Sequence, residues 1–376
     1  MSDVASAAVA ACAAGVLGRR RIALGVFQVG GESVHKKLEA RHLLDAEALS
    51  KTGEADMSHA LPTSEHFTLE ELAEGVYAAI AIEGKAAFSN AGIVDLGDRT
   101  LVFDAFEAPV AAWDLRRAAE SLTGRAVTTL VISHGHDDHW LGDQAFAGAT
   151  IVCTSATREQ IAASMAEIEE DKADPGQIGS IIREQQERLA SETDERRRAD
   201  IEHTIARWQY ALQALPTLDP ILPHETFDSR IVFHGARWKA ELITHGKGHT
   251  SSDCTLILPQ AKIAFVGDLA FFGRQPFMVY GDSQAWVAQL EWFERSQIEV
   301  FVPGHGPVGT RVDIALEREY ILMLEEWVAQ AVEKGEPVEQ ILKRPLPTPF
   351  DAWSIDALPA EYNVRALYER TSTQEG

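Results

Sequence analysis

The stretch Val131-Ile132-Ser133-His134-Gly135-His136-Asp137-Asp138-His139-Trp140 packs three histidines and two aspartates into six residues, directly behind an apolar run. That run, Val127–Ser133, is rich in β-formers and reads as a strand. If the chain stays extended beyond it, His134 and His136 lie two apart and point to the same side. A turn after them brings Asp138 and His139 round toward a second centre. Neutral imidazole nitrogens and carboxylate oxygens are the donors that Zn2+ and similar first-row cations accept. The stretch therefore marks His134, His136, Asp138 and His139 as candidate metal ligands.

Three residues farther along occupy the same kind of position. His249 follows the apolar run Ala240–Thr244 through Gly246-Lys247-Gly248-His249-Thr250, Asp268 ends Ile263–Asp268, and His305 ends Val300–His305. Each stands beside a glycine that lets the backbone turn sharply. Strand ends thus deliver seven candidate ligands to one edge of the fold, which is where α/β proteins generally build their sites. His245 precedes His249 by four residues, but His249 carries the Gly-His-Thr context and is the expected ligand. Cys254 is expected to open the next strand and is set aside. His35, His42, His59, His66, His203, His224 and His234 read as surface or hydrogen-bonded residues.

Around these motifs, β-rich runs (76–82, 87–95, 100–103, 127–133 and 150–153, then 231–233, 240–244, 254–258, 263–266 and 300–302) alternate with helical spacing at 110–122 and 283–295. Alternation in both halves predicts a layered α/β architecture. Residues 1–67 read as a poorly ordered leader, within which Met57 is the expected native start, since organised sequence begins after it. Residues 68–320 read as the main domain, with a helical insertion at 156–215 broken at Pro175-Gly176, and 321–376 as a C-terminal helical extension. Within the insertion, Ile201, Ile205, Trp208, Leu212 and Leu215 mark an apolar stripe, expected to pack on the α/β body. A lid over the site, or a homodimer contact, is the sharper reading of the same segment.

The chain has 376 residues, 34 Lys+Arg against 57 Asp+Glu and a formal charge of −23. So acidic a chain offers no broad surface for nucleic acid or anionic membranes. No apolar run reaches bilayer-spanning length. Three cysteines without a CxxC pair fit a reducing compartment. The Ala-rich run before Arg19-Arg20-Arg21 inverts the charge order of a secretory signal. Cytoplasmic location is the expectation, with export as the minority alternative, and a small molecule is the expected partner.

Together these motifs resemble the metallo-β-lactamase-fold hydrolase superfamily, over roughly residues 68–310. The order is Asp104 after the strand 100–103, the His134–His139 cluster, Gly-His249-Thr250, Gly267-Asp268 and Gly304-His305-Gly306. The resemblance implies an αββα four-layer sandwich. It implies that His134, His136 and His249 hold one cation, that Asp138, His139 and His305 hold another, and that Asp268 bridges them. Asp104 would steady the histidine loop from behind. Two Zn2+ ions are the implied cofactors, and the same ligands accept Fe or Mn. The phrases His249-Thr250-Ser-Ser-Asp253, Val266-Gly-Asp-Leu-Ala270 and Val302-Pro-Gly-His-Gly306 are similar to a glyoxalase-II-like branch that includes quinoprotein-associated zinc hydrolases.

The implied activity is hydrolysis of an ester-like bond (thioester, lactone or β-lactam class) by a metal-bridged hydroxide, with Asp138 as the catalytic residue that orients it. A mononuclear iron persulfide dioxygenase of the same fold and a β-lactamase proper are the alternatives. The insertion departs from the minimal fold, and Gly142-Asp143 stands where Gly-Gly is commoner. Trp140, Phe271, Arg274 and Tyr280 follow ligand-bearing segments, and Lys247 stands two residues before His249, where a cation could meet an anionic substrate; all five are candidates to line the substrate pocket.

Overall fold

The structure is a computed structural model and describes residues 60–353 and 359–374. Met57, His35, His42, His59 and most of the expected leader lie outside the described residues. Strands β1 (Phe67–Ala73), β2 (Val76–Ala81), β3 (Ala91–Asp95) and β4 (Thr100–Phe103) pair as an antiparallel meander. Helix α1 (Pro109–Thr123) then crosses to β5 (Val127–Val131), which lies parallel to β4. Pro109 opens α1, where a missing N–H leaves nothing unsatisfied. A single helical turn, α2 (Asp137–Trp140), precedes β6 (Thr150–Thr154).

Three helices follow: α3 (Ser155–Ala173), α4 (Gly176–Ser191) and α5 (Glu195–Ala214). The expected insertion therefore has a second break, where the Asp194 carboxylate caps α5 by accepting the Arg197 N–H. Strand β7 (Glu225–Phe227), parallel to β6, completes a seven-stranded sheet in the order β1 to β7. The second sheet contains β8 (Arg230–His234), β9 (Lys239–Gly246), β10 (Asp253–Leu258) and β11 (Ile263–Phe271), all antiparallel. After helix α6 (Ser283–Arg295), β12 (Val300–His305) joins β11 in parallel. Helices α7 (Arg311–Glu333), α8 (Val338–Ile341) and α9 (Pro359–Gln374) end the described chain.

Side-chain alternation fixes the layers, because successive strand residues face opposite sides. Leu130, Ile132, Ile151 and Cys153 turn outward from the first sheet into a core shared with α1 and the inserted helices. Leu101, Phe103, Val131 and Val152 turn inward and meet Leu242, Leu256, Phe265 and Val302 of the second sheet. The outer face of that sheet, with Ala264, Val266 and Phe301, packs against Trp286, Phe293, Tyr320 and Leu324 of α6 and α7. The fold is thus helices, sheet, sheet, helices: α/β, in four layers. The inserted helices lay Ile161, Ile178, Ile182, Ile201, Ile205 and Leu215 into the first core, so the insertion is part of the body.

Two strands, β1 and β7, have no counterpart in the sequence reading. The expected strand 87–95 begins only at Ala91, and residues 87–90 form a loop. Asp268 lies inside β11, which runs on to Phe271, rather than at its end. Among the described residues, no helix is long and apolar enough to cross a membrane.

The close approach of the sheets depends on Gly92 of β3, where a Cβ would run into the Phe265 ring. Gly92→Ala should therefore destabilise the protein by about 1–3 kcal/mol in urea unfolding. Phe265→Leu in the same chain should restore part of that loss, and an undisturbed midpoint in Gly92→Ala would contradict the packing.

Candidate metal centre

Past β5 the chain stays extended through His136 (φ −76°, ψ 141°) and then winds into α2, so one short segment presents four side chains to one space. The turn after β9 brings His249, β11 brings Asp268, and the end of β12 brings His305. His134, His136, His249 and Asp268 place ligand atoms within 4.8 Å of one another, and so do Asp138, His139 and His305. All except half-buried His136 are buried.

Asp268 stands between the two sets. Its Oδ2 lies 3.2 Å from His249 Nε2 and 3.6 Å from His134 Nε2. Its Oδ1 lies 3.0 Å from His139 Nε2 and 3.4 Å from His305 Nε2. Asp138 Oδ2 closes the second set, 3.1 Å from His305 and 3.3 Å from His139. In the first set, His249 Nε2 and His136 Nδ1 face each other at 2.8 Å. Gly304 makes this possible, since a Cβ there would collide with the Asp268 carboxylate.

Whether these residues suit a cation can be tested on their own hydrogen bonding. His134 Nε2, His139 Nε2 and Asp268 Oδ1 are buried and have no hydrogen-bond partner among the described residues. Buried polar atoms are rarely left so, and these converge on the same spaces. A borderline cation satisfies them all, so the donor set fits a metal.

Asp104 organises the histidines from behind. It adopts a left-handed conformation (φ 61°), takes the Ser133 N–H (2.7 Å) and Oγ (2.8 Å), and meets His139 Nδ1 at 2.7 Å. Ser133 Oγ in turn lies 2.9 Å from His134 Nδ1. One carboxylate thus sets the ring orientation in both sets, leaving each Nε2 free to ligate. Sequence reading did not identify Ser133, nor the loop residues Ser89 and Asn90. Ser89 donates to the Asp138 carbonyl at 2.5 Å, and Asn90 donates to the carbonyls of Pro303 (3.0 Å) and Gly306 (2.8 Å). Their only sequence signal was the failure of strand alternation at 87–90.

Charge is balanced within the cluster. Burial opposes ionisation of Asp268, but His139 and His305 outweigh it and hold its carboxyl well below the usual range. Burial also opposes protonation of His305, yet Asp268 and Asp138 push it up to about 9. His139 is likewise held well above the usual histidine value, because Asp268, Asp138 and Asp104 outweigh its burial. His136, by contrast, is lowered to about 3 by burial and by His249.

The expected pocket residues separate. Phe271 stacks on His305 (5.0 Å between ring centres, 10°) and stands 5.6 Å from His249. The Tyr280 ring lies 5.8 Å from His136. Arg274 lines a cavity on the His305 side. Trp140 is fully buried, and its indole N–H donates to the Gly135 carbonyl (3.1 Å). Lys247 is exposed and is not among the residues lining that cavity, and its carbonyl accepts from the Gln289 side chain. His66 is buried edge-on to Tyr210 rather than at the surface, and His203 borders the cavity. His245 packs on Trp292, away from the ligands. Asp143 anchors the return of the insertion by accepting the Ile221 N–H (3.0 Å).

A family described as "Metallo-beta-lactamase superfamily" matches residues 84–305. A metallo-beta-lactamase from Pontibacter korlensis is similar in structure, with TM-score 0.50, 16% identity, 68% of this chain and 99% of that chain covered. A double mutant of the sec-alkyl sulfatase PisA1 is similar at TM-score 0.56 and 16% identity, over 81% of this chain and 50% of that chain. No curated protein matches the sequence.

Two outcomes are expected. Asp104→Asn keeps the shape and tolerates the left-handed backbone but loses the charge that orients His139. It should weaken metal retention about 10–100-fold in competition with a chelator, and retention equal to that of the parent would contradict the role. In chelator-stripped protein, the stabilisation from protonated His305 is fully present below its ordinary value of 6.5 and lost as pH rises toward about 9. Melting temperature should fall across that window, and less steeply in His305→Asn.

Proposed function

The chain belongs to the metallo-beta-lactamase superfamily, and on that premise we propose that it is a two-metal hydrolase of ester-like bonds, of the thioester, lactone or β-lactam class. The observation carrying this is Asp268, whose two oxygens face two separate sets of imidazoles, as a carboxylate shared by two cations must. His134, His136 and His249 would hold one cation, Asp138, His139 and His305 the other, and Asp268 both. Zinc is the metal this donor set suits first, with Fe or Mn also accepted. Bound there, such ions lower the pKa of water toward neutrality and polarise the scissile carbonyl.

The chain's own residues do the rest. Asp138, kept ionised by His139 and His305 against the effect of burial, takes a proton from the attacking water and passes that proton to the leaving group. Asp104 and Ser133 hold the rings in place, so the ligands need not reorganise during turnover. Phe271 keeps water away from His305 and His249, while Phe277 and Tyr280 give an apolar wall beside His136 for the acyl group. The His249-Thr250 and Val302–Gly306 phrases support the glyoxalase-II-like branch as the setting for this chemistry.

Elemental analysis of purified protein, paired with a panel of thioesters, lactones, β-lactams and sulfate esters, tests the reading. We expect two metal equivalents and turnover of at least one acyl class, whereas one iron with persulfide oxidation would favour the dioxygenase. Asp268→Ala should lose metal and at least about a hundredfold in kcat/KM. Near-normal turnover by a metal-free Asp268→Ala protein would overturn the proposal.

A further inference from the structure

Beside His305 lies a cavity of about 290 Å³, walled by the loop between β2 and β3, by α5 and by the stretch after β11. Its ionisable lining is Lys85, Arg207, Arg274, His203 and a single carboxylate, Glu83. Glu83 pairs with Arg274 (2.8 Å) and Glu107 holds Arg207 from behind, so Lys85 is the cation left over in this wall, in a chain whose formal charge is −23. The remaining wall is largely apolar, with Ile82, Phe88 and Phe272 among it.

The cations are arranged rather than scattered. Arg207 reaches in from α5 with its guanidinium over the Phe88 ring, 3.8 Å from the ring centre. Its Nε is held by both oxygens of Glu107 (2.9 and 3.0 Å), which fixes the plane of the group. The two terminal nitrogens make no hydrogen bond among the described residues, so the face suited to an oxyanion is unspent. Lys85 has no ion pair among the described residues. On its other side Phe88 stands 5.6 Å from the His305 ring. An oxyanion at Arg207 and Lys85 would therefore lie one ring's width from a candidate metal ligand.

We propose that this cavity binds the oxyanion of a small amphiphilic substrate, a carboxylate or sulfate group on an apolar body, with the scissile bond extending toward the metal centre. The inserted helices then carry specificity as well as packing, since Arg207 belongs to α5. Calling the bound molecule a substrate rests on the hydrolytic reading above, whereas the binding itself does not.

Calorimetric titration of the metal-loaded protein with octanesulfonate, octanoate and the neutral octanamide separates these points. Both anions should bind about tenfold more tightly than the amide, and less so in high salt. Lys85→Gln and Arg207→Gln should each remove most of that advantage while leaving octanamide binding and metal content as they were. Lys85 is only partly buried, so its substitution tests the site even if Arg207→Gln, which strands Glu107, fails to fold. Loss confined to octanoate would identify carboxylates as the source of the anion, and loss of both would admit sulfates. Equal binding of anions and amide, or anion binding indifferent to Lys85→Gln, would overturn the subsite. Anion binding without hydrolysis of any ester would overturn only the hydrolytic reading.

Discussion

A buried carboxylate must be compensated, and both oxygens of Asp268 face imidazoles brought from three parts of the chain. That constraint explains much of the architecture around it. The segment after β5 supplies His134 and His139, the turn after β9 supplies His249, and β12 ends on His305, so both sheets must stay in register with each other. Contacts between the sheets enforce this at the site itself. Asn90 donates across to the β12 segment, and the Cys254 N–H donates to the Ser133 carbonyl at 2.9 Å. Gly304 leaves the space the carboxylate occupies.

The layered fold was legible in the sequence wherever strands are buried on both faces, because such runs are continuously apolar and short. Strands β4 and β5 and helices α1 and α6 fall close to where periodicity predicts them. Strand β1, Phe-Thr-Leu-Glu-Glu-Leu-Ala, was not legible, since it lies at the sheet edge and its glutamates disguise the alternation. Three-residue β7 is too short to show any period. The ligand-bearing segments could be read because His and Asp after apolar runs are rare outside such sites. Ser133, Asn90 and Arg207 could not, because their roles depend on partners distant in sequence, up to 216 positions away for Asn90. The surroundings of Trp140, buried, and Lys247, exposed, were not legible for a related reason. Proximity in sequence to a ligand does not decide whether a side chain faces the pocket, the core or solvent.

The helical insertion joins these themes. Its isoleucines complete the core outside the first sheet, and its third helix delivers Arg207 and His203 to the cavity beside His305. Glu107 and Glu83 hold Arg207 and Arg274 in place at this wall, and Lys85 adds a cation without an ion pair among the described residues. On the subsite proposed here, substrate choice would rest on a segment separate from the candidate ligands.

The central claim is that one carboxylate is shared between two cations, and anomalous scattering from crystals of the metal-loaded protein tests it directly. The account predicts two peaks at the metal absorption edge, about 3.5–4 Å apart, one on each side of Asp268. A single peak among His134, His136 and His249, with Asp138, His139 and His305 holding nothing in fully loaded protein, would contradict it.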